Sequence, residues 1–261
     1  MNLGVSTASY YPLETELALE EIGKAGIKTT EIFFNCESEL KPAFIDILKE
    51  IQNEYGINIA AVHPTLSLAE PFMIFSAYER RFNESLRKYA RYSEVAAELG
   101  AKYIIMHGGK PNGVLSDEEY CERYMLLKQE TRKNGVTVLQ ENVVNFSSGD
   151  IEFLRAMCDI LGSEAEFCFD IKQSVRCGLS PLDTINEFIT HIKHFHISDH
   201  SIASDCLLPG NGGFGFGEFL KTLKNSSFNG ACNIEVYRNA YRDFSEIKQS
   251  FQNIADIYKK M

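Results

Sequence analysis

The sequence has no C-x-x-C pair, no long run of like charge, no low-complexity segment and no apolar stretch long enough to cross a bilayer. Each absence removes a class of protein. The seven cysteines stand apart, at positions 36, 121, 158, 168, 177, 206 and 232. An odd, scattered set argues against a disulfide framework or a thiolate zinc site, and for small core residues in a reducing compartment. The apolar runs fall short of the roughly 18–20 residues that a membrane helix needs. The opening MNLGVSTASYY has neither the basic nor the apolar region of a signal peptide. A cytoplasmic protein without a membrane partner is therefore expected. Positive charge is scarce too: 26 Lys and Arg face 36 Asp and Glu, for a net charge of -10. That argues against nucleic acid as a partner, which asks for a basic footprint, although a bound metal can supply positive charge locally. Glycine is missing from Ser6–Tyr11, just after the first β-rich run. An open, doubly wound nucleotide-binding sheet would place its G-x-G-x-x-G turn there.

What is present is an alternation. Short, mostly apolar runs predict strands at Leu3–Ser6, Thr29–Phe33, Asn58–Val62, Tyr103–Met106, Thr137–Gln140, Phe167–Phe169, His194–Ile197 and Cys232–Val236. Amphipathic segments between them predict helices at Glu16–Ala25, Ala43–Tyr55, Glu79–Leu99, Glu118–Asn134, Ile151–Leu161, Pro181–Thr190 and Gly217–Asn225. Four junctions repeat one pattern, a glycine closing a helix ahead of a β-rich run: A-G-I-K, Y-G-I-N, L-G-A-K and N-G-V-T. Strand and helix in alternation mean parallel βαβ units. Eight such units in 261 residues fit one α/β domain, 1–261, folded as a single (β/α)8 TIM barrel, which takes roughly 250 residues.

From the third strand onward the predicted strands end in residues able to bind a metal. They read A-A-V-His63, I-I-M-His107, V-L-Q-Glu141-N, F-C-F-Asp170, H-F-His196 and N-I-Glu235. The C-terminal ends of barrel strands share one face, where active sites are built. Carboxylates at the edge of an apolar core must be paired or metal-bound, and three of them meeting there would repel unless a cation sat among them. Glu141, Asp170, His196 and Glu235 are thus the expected ligands. Oxygen-rich ligation with one imidazole suits Mn2+, Mg2+, Co2+ or Zn2+. The glycine-rich loop L-L-P-G-N-G-G-F-G-F-G-E lies over the same face and is a candidate to close on substrate. Tyr10 and Phe34 are candidates to pack on the carbon face of a sugar.

With these motifs in order, L-G-V-S-T, T-E-I-F-F, the Glu141-Asn142 pair, H-F-H-I-S-D-H and P-G-N-G-G, the chain resembles the xylose isomerase-like barrel superfamily along essentially its whole length. That group includes sugar isomerases, ketose 3-epimerases, inosose-type dehydratases and metal-dependent apurinic-site endonucleases. The resemblance implies one metal on Glu141, Asp170, His196 and Glu235. His63 and His107 match two histidines that help the endonucleases bind a further ion, so they stand as second-metal or substrate-binding residues. Where the endonucleases carry the His of a third metal site, this chain has Gln173, and its seventh loop reads D-C-L-L-P without His, which counts against DNA cleavage. Gln173 also replaces a substrate-contacting His of the epimerases. Their Arg after the seventh strand is missing, leaving Asp199, His200 or Arg238 as substitutes.

The expected chemistry is proton transfer next to a carbonyl through a metal-stabilised enediolate, with Glu141 and Glu235 as the catalytic pair. The expected partner is a ketose, inosose or sugar phosphate, and the chain is compatible with a homo-oligomer. The alternatives are an endonuclease-like phosphodiester hydrolase and a metal-binding subunit of a heteromeric lyase.

Overall fold

A computed structural model describes residues 1–65 and 69–261. The strands of the barrel wall are β1 (Asn2–Ser6), β2 (Thr29–Phe33), β3 (Asn58–His63), β4 (Tyr103–Met106), β5 (Thr137–Glu141), β6 (Phe167–Asp170) and β7 (Ile192–Ile197). A small antiparallel pair follows, β8 (Asp199–Ser201) with β9 (Ser204–Leu207), and β10 (Ala231–Ile234) completes the wall. The wall is parallel and closed, in the order β1-β10-β7-β6-β5-β4-β3-β2, with β2 paired back to β1. This is the single (β/α)8 TIM barrel that the alternation predicts.

The helices are α1 (Thr15–Lys24), α2 (Pro42–Tyr55), α3 (Glu70–Met73), α4 (Glu79–Glu98), α5 (Asp117–Arg132), α6 (Ile151–Leu161), α7 (Ile171–Arg176), α8 (Pro181–Phe188), α9 (Phe216–Asn225) and α10 (Phe244–Lys259). Three of them, α3, α7 and α10, were not among the predicted segments. The spacing of Ile247, Phe251 and Ile254 marks α10 as a helix with one apolar stripe, and it packs against β1. The four repeated glycines, Gly26, Gly56, Gly100 and Gly135, all have φ between 61° and 80°. That left-handed conformation ends each helix and turns the chain toward the next strand.

Period-two alternation gives the wall two unlike faces. Ile32, Val62, Ile104, Val138, Phe169, Phe195 and Ile234 point outward into the large core shared with the helices. Their neighbours point inward, where Ala61, Ile105, Leu139 and Cys168 form a small separate cluster. The next inward position, two residues further on, is His63, Glu141 and Asp170 on β3, β5 and β6, and His107 one residue past β4. The barrel interior is therefore a short apolar plug with the polar residues stacked above it. The seven cysteines are free thiols, as expected, but only four are buried; Cys36 is exposed. No helix among the described residues is long and apolar enough to cross a membrane.

Candidate metal centre

Four ligand atoms, one each from Glu141, Asp170, His196 and Glu235, lie within 4.8 Å of one another at the C-terminal mouth of the barrel. Local structure holds each in place. The Asn142 side chain laces β5 to β6: its Oδ1 accepts the Asp170 N–H at 2.7 Å and its Nδ2 donates to the Asp170 carbonyl at 3.0 Å. Asp170 Oδ1 accepts the Gln173 N–H at 3.1 Å, capping α7, so the end of β6 is set by the start of the next helix. The backbone N–H of Glu235, one residue past β10, donates to Ile197 O at 3.1 Å.

His196 sits at the centre. Its Nδ1 is 2.9 Å from Glu141 Oε1, 3.7 Å from Glu235 Oε2 and 3.9 Å from Asp170 Oδ2. Its Nε2 is 3.0 Å from Glu31 Oε2. With the proton on Nε2, donated to Glu31, the Nδ1 lone pair faces the three carboxylates, the tautomer that metal ligation requires. His194 Nε2 also lies 3.0 Å from Glu31 Oε2. Above the ring, His107 Nε2 is 3.0 Å from Glu141 Oε2 and 3.1 Å from His63 Nε2. His63, His107 and Glu141 thus form a second potential ligand group that shares Glu141.

The electrostatics follow from burying these charges together. Burial alone would raise the Glu141 carboxyl, but His196, His107 and His63 hold it well below the usual range. Burial would lower His196; Cys168, Glu235, Glu31 and Glu141 push it well above an ordinary histidine. Asp170 is raised, chiefly by burial, with the Lys172 ammonium opposing. Burial would likewise lower Lys172, and the carboxylates of Asp170 and Glu235 hold it well above an ordinary lysine.

The donor set fits a divalent cation. Glu235 Oε2 is buried without a hydrogen-bond partner among the described residues, and Glu141 Oε2 and Asp170 Oδ2 are buried against single cationic or imidazole neighbours, His107 Nε2 at 3.0 Å and Lys172 Nζ at 2.8 Å; so many carboxylate oxygens with so few donors are costly to bury. Lys172 Nζ approaches Asp170 Oδ2 to 2.8 Å and donates to Glu235 Oε1 at 3.4 Å, so one ammonium meets a cluster of three carboxylates. The ring opens into a cavity of about 340 Å³ lined by His63, His107, Glu141, Lys172, Gln173, Glu235 and Arg238, with Tyr11, Phe33 and Tyr237 as its aromatic wall.

The other expected residues have mixed placements. Gln173 lines the cavity, with its Oε1 accepting the Val144 N–H at 3.2 Å. Arg238 lines it as well, but its guanidinium donates to the carbonyls of Tyr241 and Arg242 at 2.8 and 3.1 Å. Asp199 faces away from the cavity. Its carboxylate accepts the backbone N–H groups of His200, Gly210, Gly212 and Phe214 at 2.8–2.9 Å. It anchors the glycine-rich loop, and no residue of that loop lines the cavity. Gly212 is required there, because a Cβ would stand 2.3 Å from His200 O. Tyr10 and Phe34 are buried at 1% and 0% exposure, packed on Phe244 and Tyr92, so neither can meet a ligand.

Three residues of the centre escaped sequence reading: Glu31, His194 and Lys172. Glu31 carries the signal that marked Glu141, a carboxylate inside a β-rich run, T-T-E-I-F-F. Its position early in the chain, before the ligand-bearing strands, disguised it.

Fold and site together define a (β/α)8 barrel with a ring of side chains able to hold a metal at its mouth. The family model described as xylose isomerase-like TIM barrel matches residues 19–257, and the chain belongs to that family. An uncharacterised protein of Mycobacterium tuberculosis (strain ATCC 25618 / H37Rv) is 24% identical, with 94% of this chain and 92% of its own covered. Among solved structures, a D-tagatose 3-epimerase-like protein superposes with a TM-score of 0.79 at 20% identity, covering 100% of this chain and 99% of its own. The IOLI protein, solved with a zinc atom bound, gives 0.77 at 19% identity, with 100% and 99% covered.

Proposed function

We propose that this chain is a divalent metal-dependent isomerase or epimerase of a small sugar or polyol. The observation that carries the reading is the ring of Glu141, Asp170, His196 and Glu235, whose ligand atoms lie within 4.8 Å of one another with three buried carboxylates among them, at the floor of a cavity of small-molecule size. The family membership, the epimerase-like neighbour and the zinc in the IOLI protein support it.

Glu141, Asp170, His196 and Glu235 would hold Mn2+, Mg2+, Co2+ or Zn2+, which when bound polarises a substrate carbonyl and acidifies the adjacent C–H. The chain's own residues then move the proton. Glu141 is sealed at 2% exposure, whereas Glu235 is open at 16%, so the two carboxylates approach the reacting carbon from different surroundings. One takes the proton from carbon and the other returns it. Return to the opposite face of the same carbon gives epimerisation, and return to the neighbouring carbon gives aldose–ketose isomerisation. His63 and His107 reach into the same cavity and would bind substrate hydroxyls. The aromatic wall offers an apolar face to the C–H side of a sugar.

One observation favours a second reading. The His63, His107 and Glu141 group could hold another ion, as a phosphodiester hydrolase would need. Both readings meet in one assay. Protein purified without chelators is incubated in D2O with ketoses, inososes and their phosphates, and separately with abasic duplex DNA. The proposal expects bound divalent metal and deuterium entering a C–H beside the carbonyl of one sugar. It expects Glu141→Gln and Glu235→Gln to lower that exchange about 10²–10⁴-fold. Full exchange activity in either variant contradicts the carboxylate pair. DNA cleavage without sugar exchange contradicts the class.

A further inference from the structure

Lys172 stands two residues past Asp170, buried to 2% exposure yet lining the cavity. Its Nζ is 2.8 Å from Asp170 Oδ2, 3.4 Å from Glu235 Oε1 and 5.0 Å from the centre of the Tyr237 ring. Metal binding does not explain this residue. A fixed positive charge against two ligand carboxylates opposes an incoming divalent cation, and burying an ammonium is unfavourable without a full set of partners. An ammonium has three N–H donors. Its contacts with Asp170 and Glu235 engage at most two, and the side chain lines the cavity.

We infer that Lys172 is a substrate-contacting residue, its ammonium donating a hydrogen bond to a substrate oxygen held beside Glu235. The inference rests on the sugar reading above and deepens it. The ligand must carry an oxygen acceptor next to the carbon that Glu235 addresses, as a hydroxycarbonyl sugar does. Lys172 would fix that oxygen, and with it the orientation of the C–H bond toward the carboxylate. The Tyr237 ring, which also lines the cavity, has its centre 5.0 Å from Nζ and adds a cation–π contact that helps hold the ammonium in place.

The test separates metal from sugar. Wild type and Lys172→Met are stripped, titrated with Mn2+ by calorimetry, and the Mn2+-loaded proteins are titrated with D-fructose, D-fructose 6-phosphate and 2-keto-myo-inositol, one of each substrate class named above. The expected result is a Mn2+ Kd in Lys172→Met equal to or tighter than wild type, with at least a tenfold loss of affinity for whichever of the three the wild type binds. Unchanged sugar affinity overturns the inference and leaves the proposed function standing. A Mn2+ Kd weakened more than tenfold also overturns it, because Lys172 would then act by orienting Asp170. If the wild type binds Mn2+ but none of the three probes, the sugar reading and the Lys172 contact fall together. Lys172→Leu, which likewise removes every donor, carries the same comparison should the methionine variant not fold.

Discussion

The two faces of the barrel wall are made from the same strands and are equally buried, yet they differ in kind. The outer face is Ile32, Val62, Ile104, Val138, Phe169, Phe195 and Ile234, continuous with the helices. The inner face keeps only Ala61, Ile105, Leu139 and Cys168 as an apolar cluster. Above and beside that cluster it carries Glu31, His63, Glu141, Asp170, His194, His196 and Asn233, all buried. Dispersion and the hydrophobic effect act on the outer face in proportion to area. On the inner face, buried charges must offset one another or be met by a cation. The outer face therefore supplies stability, and the inner face uses part of that stability to hold a polar cluster that would not assemble unaided.

Substitutions of comparable burial should accordingly give opposite signatures. The largest stability effect is expected for Phe195→Ala, which empties the space between Phe169, Phe219 and Phe228. A loss of about 3–5 kcal/mol is expected in chemical denaturation, with metal affinity of the folded protein unchanged. Altered metal affinity there would show that the two faces are coupled. Glu31→Gln is the inner counterpart. It leaves packing almost unchanged but exchanges the anionic acceptor that fixes the His196 tautomer for a neutral amide, which can also present an N–H to the ring. Metal affinity should fall about 10–100-fold, read by calorimetry; unchanged affinity would remove Glu31 from the centre. The smallest effect is expected at the barrel's rim. Ser116 caps α5, its Oγ accepting the Glu119 N–H at 3.2 Å while Glu119 Oε2 accepts the Ser116 N–H at 2.8 Å. Ser116→Ala should cost about 1 kcal/mol and leave metal binding alone. A loss near that of Phe195→Ala would mean that α5 governs the barrel's cooperativity.

The same contrast explains what could be read from the sequence. The outer face and the helix stripes repeat with fixed periods, and the four glycine junctions punctuate them, so the strand order and barrel class were legible. Glu141, Asp170, His196 and Glu235 were legible because each is a polar residue at the end of an apolar run. Glu31 and His194 were not, because they sit within strands whose inner positions are polar on only part of the barrel. Asp199 looked like a site residue because it follows the seventh strand. Three of the four backbone N–H groups that engage it, those of Gly210, Gly212 and Phe214, come from a loop whose return path no local pattern announces. Tyr10 and Phe34 were misplaced for a related reason. Strand-end position gives nearness to the mouth, but the residue's parity decides whether it faces the cavity, and Phe33, one residue earlier, is the one that does.

The central claim is that the inner face holds a divalent cation on Glu141, Asp170, His196 and Glu235. Its most direct test is calorimetric titration of the chelator-stripped wild type and Asp170→Asn with Mn2+ and Zn2+. The account predicts stoichiometric binding in the wild type, lost or weakened at least about tenfold when one ligand carboxylate becomes an amide. No binding of either ion to folded wild-type protein, or equal binding in Asp170→Asn, would contradict it.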